Sequence, residues 1–223
     1  MKNFGKFANI MLIMLIGALA WFTLGADPVL GITLAMAPPV GFGDLLHADG
    51  ADNIGGTQMI AYYAPIDDVL TLPGYKTAPS AMGDYATIDT DIVMKPGKKM
   101  LKLYATMDTG KVDDKKIEGK DNNAFESTYD FSFPKINAEA LGFSRIAAAT
   151  KCLVLVPEIE GNVRVLGILP GAPAIISDIT ITTGMVSTSD KSAKFQFKSW
   201  QYGPAPVYTG SIPLVEAEAS SSV

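Results

Sequence analysis

The chain predicts an all-β fold, a β-sandwich or partly closed barrel, with one flanking α-helix and an N-terminal hydrophobic segment. Three observations carry that expectation. Gly 21 and Pro 14 among 223 residues, with only 18% charged side chains, describe a turn-rich chain with few amphipathic helices. Several segments alternate apolar and polar residues with a period of two, the signature of half-buried strands. The apolar run Cys152 to Val156 reaches a Glu160-Gly161-Asn162 turn and returns through Val163, Val165 and Leu166, a hairpin by turn chemistry and β-branched content.

Residues 1–26 form a hydrophobic leader. Lys2 and Lys6 precede an uncharged run from Ile10 to Leu24, the arrangement of a signal-peptide n-region and h-region. Ala18-Leu19-Ala20 fits the small-x-small cleavage rule, and Leu24-Gly25-Ala26 is a second match. The run is short of the roughly 20 residues that span a bilayer. Counted from Phe7 and with Trp21 as an interfacial anchor, residues 7–26 offer membrane contact as the alternative. If the leader is retained, lipid or neighbouring subunits must cover its apolar surface.

Residues 27–56 read as an apolar arm and a Gly-rich linker. Pro28 to Phe42 is broken by Pro38-Pro39 and makes a poor helix. The acids between His47 and Gly56 lack the distal bidentate carboxylate of a calcium loop. His47 is the only histidine, so no multi-histidine metal site can form.

Residues 57–200 hold the predicted sandwich. Gln58 to Tyr63 reads as a first strand, and Asp67 to Ser80, with Pro73-Gly74 and Pro79, as a long connection. Ala86 to Met94 and Lys99 to Thr106, joined by Pro96-Gly97, predict a half-buried hairpin. Lys111 to Asn123 interleaves both charge signs and reads as a solvated hairpin tip or an inter-subunit contact. Phe125, Ser127, Tyr129, Phe131 and Phe133 share one face of the best strand, with Glu126, Thr128, Asp130 and Ser132 on the other. No Lys or Arg accompanies those aromatics, so they read as core and not as a base-stacking platform.

Asn137 caps a helix predicted over 138–149, with Glu139 in its first turn and Leu141, Ile146 and Phe143 facing the sheet. Beyond the 153–169 hairpin, Ala174 to Thr183 is a further β run. Phe195 and Phe197 then alternate with Lys194, Gln196 and Lys198. Residues 201–223 form a C-terminal arm, in which Gly-Pro-Ala-Pro-Val-Tyr stops pairing with its own sheet, and a flexible tail.

A net charge of −5 argues against a grip on nucleic acid, which requires clustered Lys and Arg. The single cysteine, Cys152, lies in an apolar strand and reads as a buried thiol. Nucleophile-elbow, phosphate-loop and dinucleotide signatures are missing from the sequence. Asp67-Asp68 and Asp113-Asp114 read as solvated surface. No catalytic, cofactor-binding or metal residue is therefore assigned, and the chain is expected to be non-enzymatic.

The C-terminal order carries a resemblance. The helix at 138–149 precedes the hairpin Leu153 to Gly167, followed by Ile179-Thr180-Ile181-Thr182-Thr183-Gly184, a polar turn with Asp190, and Lys194-Phe195-Gln196-Phe197. Over about residues 125–210 this resembles the tail tube or major virion structural proteins of bacteriophages that infect Bacteroidetes. The resemblance implies a sandwich or partly closed barrel whose copies stack as rings, commonly hexameric, around a lumen through which DNA passes without sequence-specific binding. It also implies other virion proteins as partners, no cofactor, and a place in the phage tail.

The inter-ring hairpin would be 106–124 and the arm 201–215. Lys111, Asp113, Asp114, Lys115, Lys116, Trp200, Tyr202, Pro204, Pro206 and Tyr208 are the interface candidates. Asp84, Asp89, Asp91, Asp113 and Asp114 would make an acidic lumen that repels phosphate. The leader departs from that family, whose members usually lack one. Its presence keeps open an exported or membrane-anchored β-sandwich of a bacterial envelope.

Overall fold

The computed structural model describes residues 43–46, 49–50, 53–119, 124–185 and 191–216. The leader, most of the apolar arm, His47, Lys120 to Asn123, Asp190 and the tail from 217 lie outside the described residues. The described chain is all-β with one α-helix. In order it runs β1 (Ile60–Pro65), β2 (Val69–Thr71), β3 (Thr87–Ile88), β4 (Val93–Met94), β5 (Leu101–Tyr104), β6 (Lys111–Lys116) and β7 (Phe125–Pro134), then α1 (Ala138–Ala147). It continues through β8 (Cys152–Pro157), β9 (Val163–Leu166), β10 (Ile175–Thr182), β11 (Ser192–Gln201) and β12 (Val207–Tyr208).

Two sheets hold the core. One has six strands in the order β3-β12-β9-β8-β1-β5, the other four in the order β10-β11-β7-β6, and β2 pairs with β4 apart from both. Their apolar faces share one cluster. Ala61, Leu103, Val154, Val156 and Leu166 from the larger sheet meet Tyr129, Phe131, Phe195 and Phe197 from the smaller. That is a sandwich, as the alternating strands require.

Phe131 stacks on Tyr129 and on Phe195, each with ring centroids 5.2 Å apart, and such pairs add about 0.5–1.5 kcal/mol beyond their buried area. At two corners the backbone also links the sheets: Thr106 N donates to Ser132 O, and Cys152 and Ala174 exchange both of their bonds.

β8 is buried at all six positions, which explains its unbroken apolar sequence. Its other face, with Leu153 and Leu155, lies under a second cluster built from Val69, Ile88, Ile92, Met94, Met100 and Tyr208. This cluster corrects the expected 86–106 hairpin. β4 pairs with β2 and β5 with β1, because Ile88, Ile92 and Met94 are drawn beneath the large sheet.

The β8–β9 turn has Gly161 at φ 99, a conformation that favours glycine. Gly167, at φ 86, lies so close to its neighbours that a Cβ there would sit 2.4 Å from Ala174 N and 2.6 Å from Cys152 O.

The helix begins where expected, with the Asn137 side chain accepting from Ala140 N at 2.9 Å. Its orientation differs. Ala140, Ser144 and Ala147 are its buried residues, whereas Leu141 and Ile146 are 49% and 69% exposed. Small residues at i, i+4 and i+7 let the helix approach the core closely, and Phe143 packs edge-on against Tyr63 and Phe195. That leaves the two larger aliphatic side chains on the outer flank.

Candidate functional site

Within the charge-dense segment, Lys111–Lys116 forms a strand, and the expected tip falls partly on residues 120–123, outside the described residues. β6 pairs with β7 along its length, from Lys111↔Asp130 to Lys116↔Phe125. Period two then sorts its charges: Val112 packs into the core, Asp114 shares its side, and Lys111, Asp113 and Lys115 project outward.

Asp114 is therefore an internal anchor. Its carboxylate accepts from Ser127 Oγ, from Ala205 N at 2.9 Å and from Arg164 Nη2. Arg164 extends from β9 in the other sheet, and it also donates from Nε to Ala205 O at 2.6 Å and from Nη1 to Glu158 Oε1 at 3.4 Å. Three segments distant in sequence thus meet at one ion pair, whose side chains are 21% and 15% exposed. Only one signal for this pair existed in the sequence: Arg164 interrupts the β-branched run of β9 at a position that must face either core or solvent.

Residues 201–216 also correct an expectation. The Gly-Pro-Ala-Pro-Val-Tyr stretch stays with its own sheet, where β12 pairs parallel to β3 and antiparallel to β9. Val165 N donates to Pro206 O at 3.0 Å, and Met100 N donates to Pro213 O at 2.9 Å. The Tyr208 hydroxyl donates to Ser211 O at 2.8 Å and accepts from Ile92 N at 3.1 Å. Of the ten interface candidates, Pro206 and Tyr208 are buried in the chain's own core and Asp114 is held by Arg164. Lys111, Asp113, Lys115, Lys116, Trp200, Tyr202 and Pro204 are exposed.

The acids expected to line a lumen do not gather. Asp84 accepts from Ser80 N at 2.7 Å, Ala81 N at 3.1 Å and Lys76 Nζ at 3.0 Å. These bonds, with that to Ser80 N first among them, hold its carboxyl well below the usual range. Asp91 holds Ser211 N at 3.0 Å, and Asp89 is exposed. Only Asp113 of the five lies on the outer face of the four-stranded sheet.

That outer face is polar and charge-balanced. Register places Lys111 and Lys115 of β6, with Lys194 and Lys198 of β11, against Asp113 of β6, Glu126 and Asp130 of β7, and Asp178 of β10. Lys198 pairs with Glu126 at 3.1 Å, and Gln196 Nε2 donates to Asp130 Oδ1 at 2.8 Å. A groove of about 680 Å³ runs over this face beside Asp178, Thr180 and Lys194.

The two edges of the sheet differ. β6 carries Lys111, Asp113, Lys115 and Lys116, charges of both signs that make its pairing selective and do not bar it. β10 is eight residues long, contains neither Lys nor Pro, and carries a bulge between Ile176 and Asp178. Beyond its ladder to β11, no backbone hydrogen bond reaches residues 175–182 among the described residues. The sequence reading passed over this edge, although the composition of Ile175 to Thr182 was its signal.

Among the described residues no group of His, Cys, Asp and Glu has the geometry to hold a metal, and no helix is long and apolar enough to cross a membrane. No protein family, curated protein or solved structure matches the chain.

Proposed function

We propose that this chain is a non-enzymatic structural subunit that self-assembles edge to edge into rings or a tube, the role of a phage tail tube that conducts DNA. The observation that supports the reading is the edge of β10, which no other strand pairs with among the described residues. A row of unpaired backbone donors and acceptors is a template for another strand, and an eight-residue edge presents about four residues outward for bonding.

The four strands alternate in direction, so β10 and β6 run oppositely. Copies placed side by side would therefore continue the sheet in antiparallel fashion, with β6 of one beside β10 of the next. This pairing is heterologous, and heterologous pairing closes into rings when the rotation permits. If the outer face lines the conduit, its lysines alternate with carboxylates and form no patch to retain phosphate.

Light scattering and negative-stain imaging of the purified full chain test the reading. Rings or tubes are expected. Ile181→Lys, which places a charge at a 38% exposed edge position, is expected to give monomers with an unchanged far-ultraviolet spectrum. A wild-type chain that stays monomeric at high concentration would overturn the proposal. The leader sequence favours a second reading, an exported or anchored envelope sandwich. Intact mass showing cleavage after Ala20 or Ala26, together with a monomeric product, would select it.

A further inference from the structure

Between α1 and the strand ends lies a small aromatic cavity of about 250 Å³. Tyr63, Phe131, Phe133, Phe143 and Phe195 wall it, and edge-on contacts of 5.7 Å (Tyr63–Phe143) and 5.3 Å (Phe143–Phe195) keep its rings in place. Its volume is below that of ordinary small-molecule sites, about 300–1,000 Å³, and suits a single aromatic side chain. Lys102 and Glu139 also line it. Lys102 enters no ion pair among the described residues, and Glu139 accepts only a long bond from Asn137 Nδ2 at 3.4 Å.

The other end of β11 carries the complementary feature. Tyr202 is 75% exposed, more than any other aromatic side chain among the described residues, and it sits on a bend beside Gly203. Phe195 in the pocket wall and Tyr202 belong to the same run of chain, about 23 Å apart at strand rise. A chain therefore cannot seat its own Tyr202 in its own pocket. Reciprocal exchange of the two features would close on a two-fold axis, whereas a one-way, head-to-tail contact leaves a free tyrosine at one end and a free pocket at the other and so propagates.

We propose that Tyr202 of one copy inserts into the aromatic pocket of the next and stacks copies end to end along β11. The rings meet the ring of Tyr202 edge-on, and its hydroxyl reaches the Lys102 ammonium or the Glu139 carboxylate at the rim. This inference rests on the self-assembly reading and adds its second direction, since sheet edges join copies sideways while knob and pocket join them lengthwise.

Cross-linking between two pools of full-length chain tests it. One pool carries Gly203→Cys, a position with open space around it, and the other Ala138→Cys beside the pocket rim. Cys152 is buried and does not compete. A short bis-maleimide is expected to give heterodimers joining the two pools. Adding Tyr202→Ser, on an exposed bend that does not threaten folding, is expected to weaken the end-to-end association at least about tenfold.

Heterodimers that persist undiminished with Tyr202→Ser, or rings without any heterodimer, would overturn the stacking inference while leaving edge assembly standing. Heterodimers from a chain that forms no rings would support stacking and overturn edge assembly. Neither heterodimers nor rings would overturn both.

Discussion

Asp114→Ala removes the carboxylate on which the two sheets and the 205 segment converge. Three donors lose their acceptor: Ser127 Oγ, Ala205 N and Arg164 Nη2. Hydrogen bonds to a charged group contribute about 1.5–3 kcal/mol each, but they are not additive, and breaking one side of a fully buried pair costs about 3–5 kcal/mol. Arg164 keeps 21% exposure, so water can partly replace the lost partner. The expected loss is therefore about 2–4 kcal/mol, a fall in Tm of about 5–12 °C for a domain of this size.

Asp113→Ala is the internal control, one residue away on the same strand but outward-facing and paired only with Lys111. It should change stability by no more than about 0.5 kcal/mol. Thermal and urea melts should be run in the Ile181→Lys background, so that association does not shift the midpoints. Equal effects from the two alanines would refute the claim that Asp114 anchors the sheets.

Two further outcomes are expected. Gly167→Ala should cost more than about 3 kcal/mol, because φ 86 and a Cβ within 2.6 Å of backbone atoms on both sides leave no room to relax, whereas Gly161→Ala, with open space around it, should cost about 1–2 kcal/mol; equal Tm values for the pair would contradict this. In alkali, burial pushes the Cys152 thiol up to about 11 and the Tyr75 and Tyr129 hydroxyls up to about 12, from ordinary values of 9.0 and 10.0. The unfolded chain ionises first, so this contribution to stability is complete below about pH 9 and drains away as pH rises through the folded values. A phenolate absorbance titration alongside melts across that range checks it, and a flat profile would show the three groups to be solvated.

Features set by neighbouring residues were legible in the chain. The alternation of Phe125 to Phe133 fixed the inward face of β7, Asn137 marked the start of α1, and Glu160-Gly161-Asn162 turned β8 into β9. Each depends on a period or a turn that operates within a few residues. The helix shows the boundary of such reasoning. Its existence followed from the cap and propensity, but which side it buried depended on how near the sheet it could lie. Ala140, Ser144 and Ala147 decided that by being small.

The sequence by itself determined that this protein is built of strands, where most of them turn, and that Cys152 would be a buried thiol. Only the tertiary structure decided which strands meet: that β5 joins β1, that β12 re-enters the large sheet, and that Asp114 faces Arg164 across 50 residues of sequence. The reason is physical. Side-chain period and turn chemistry act locally, whereas strand neighbours are chosen by the whole chain burying its apolar faces and satisfying its backbone bonds at once. An unpaired edge such as that of β10 exists only after every other pairing has been made.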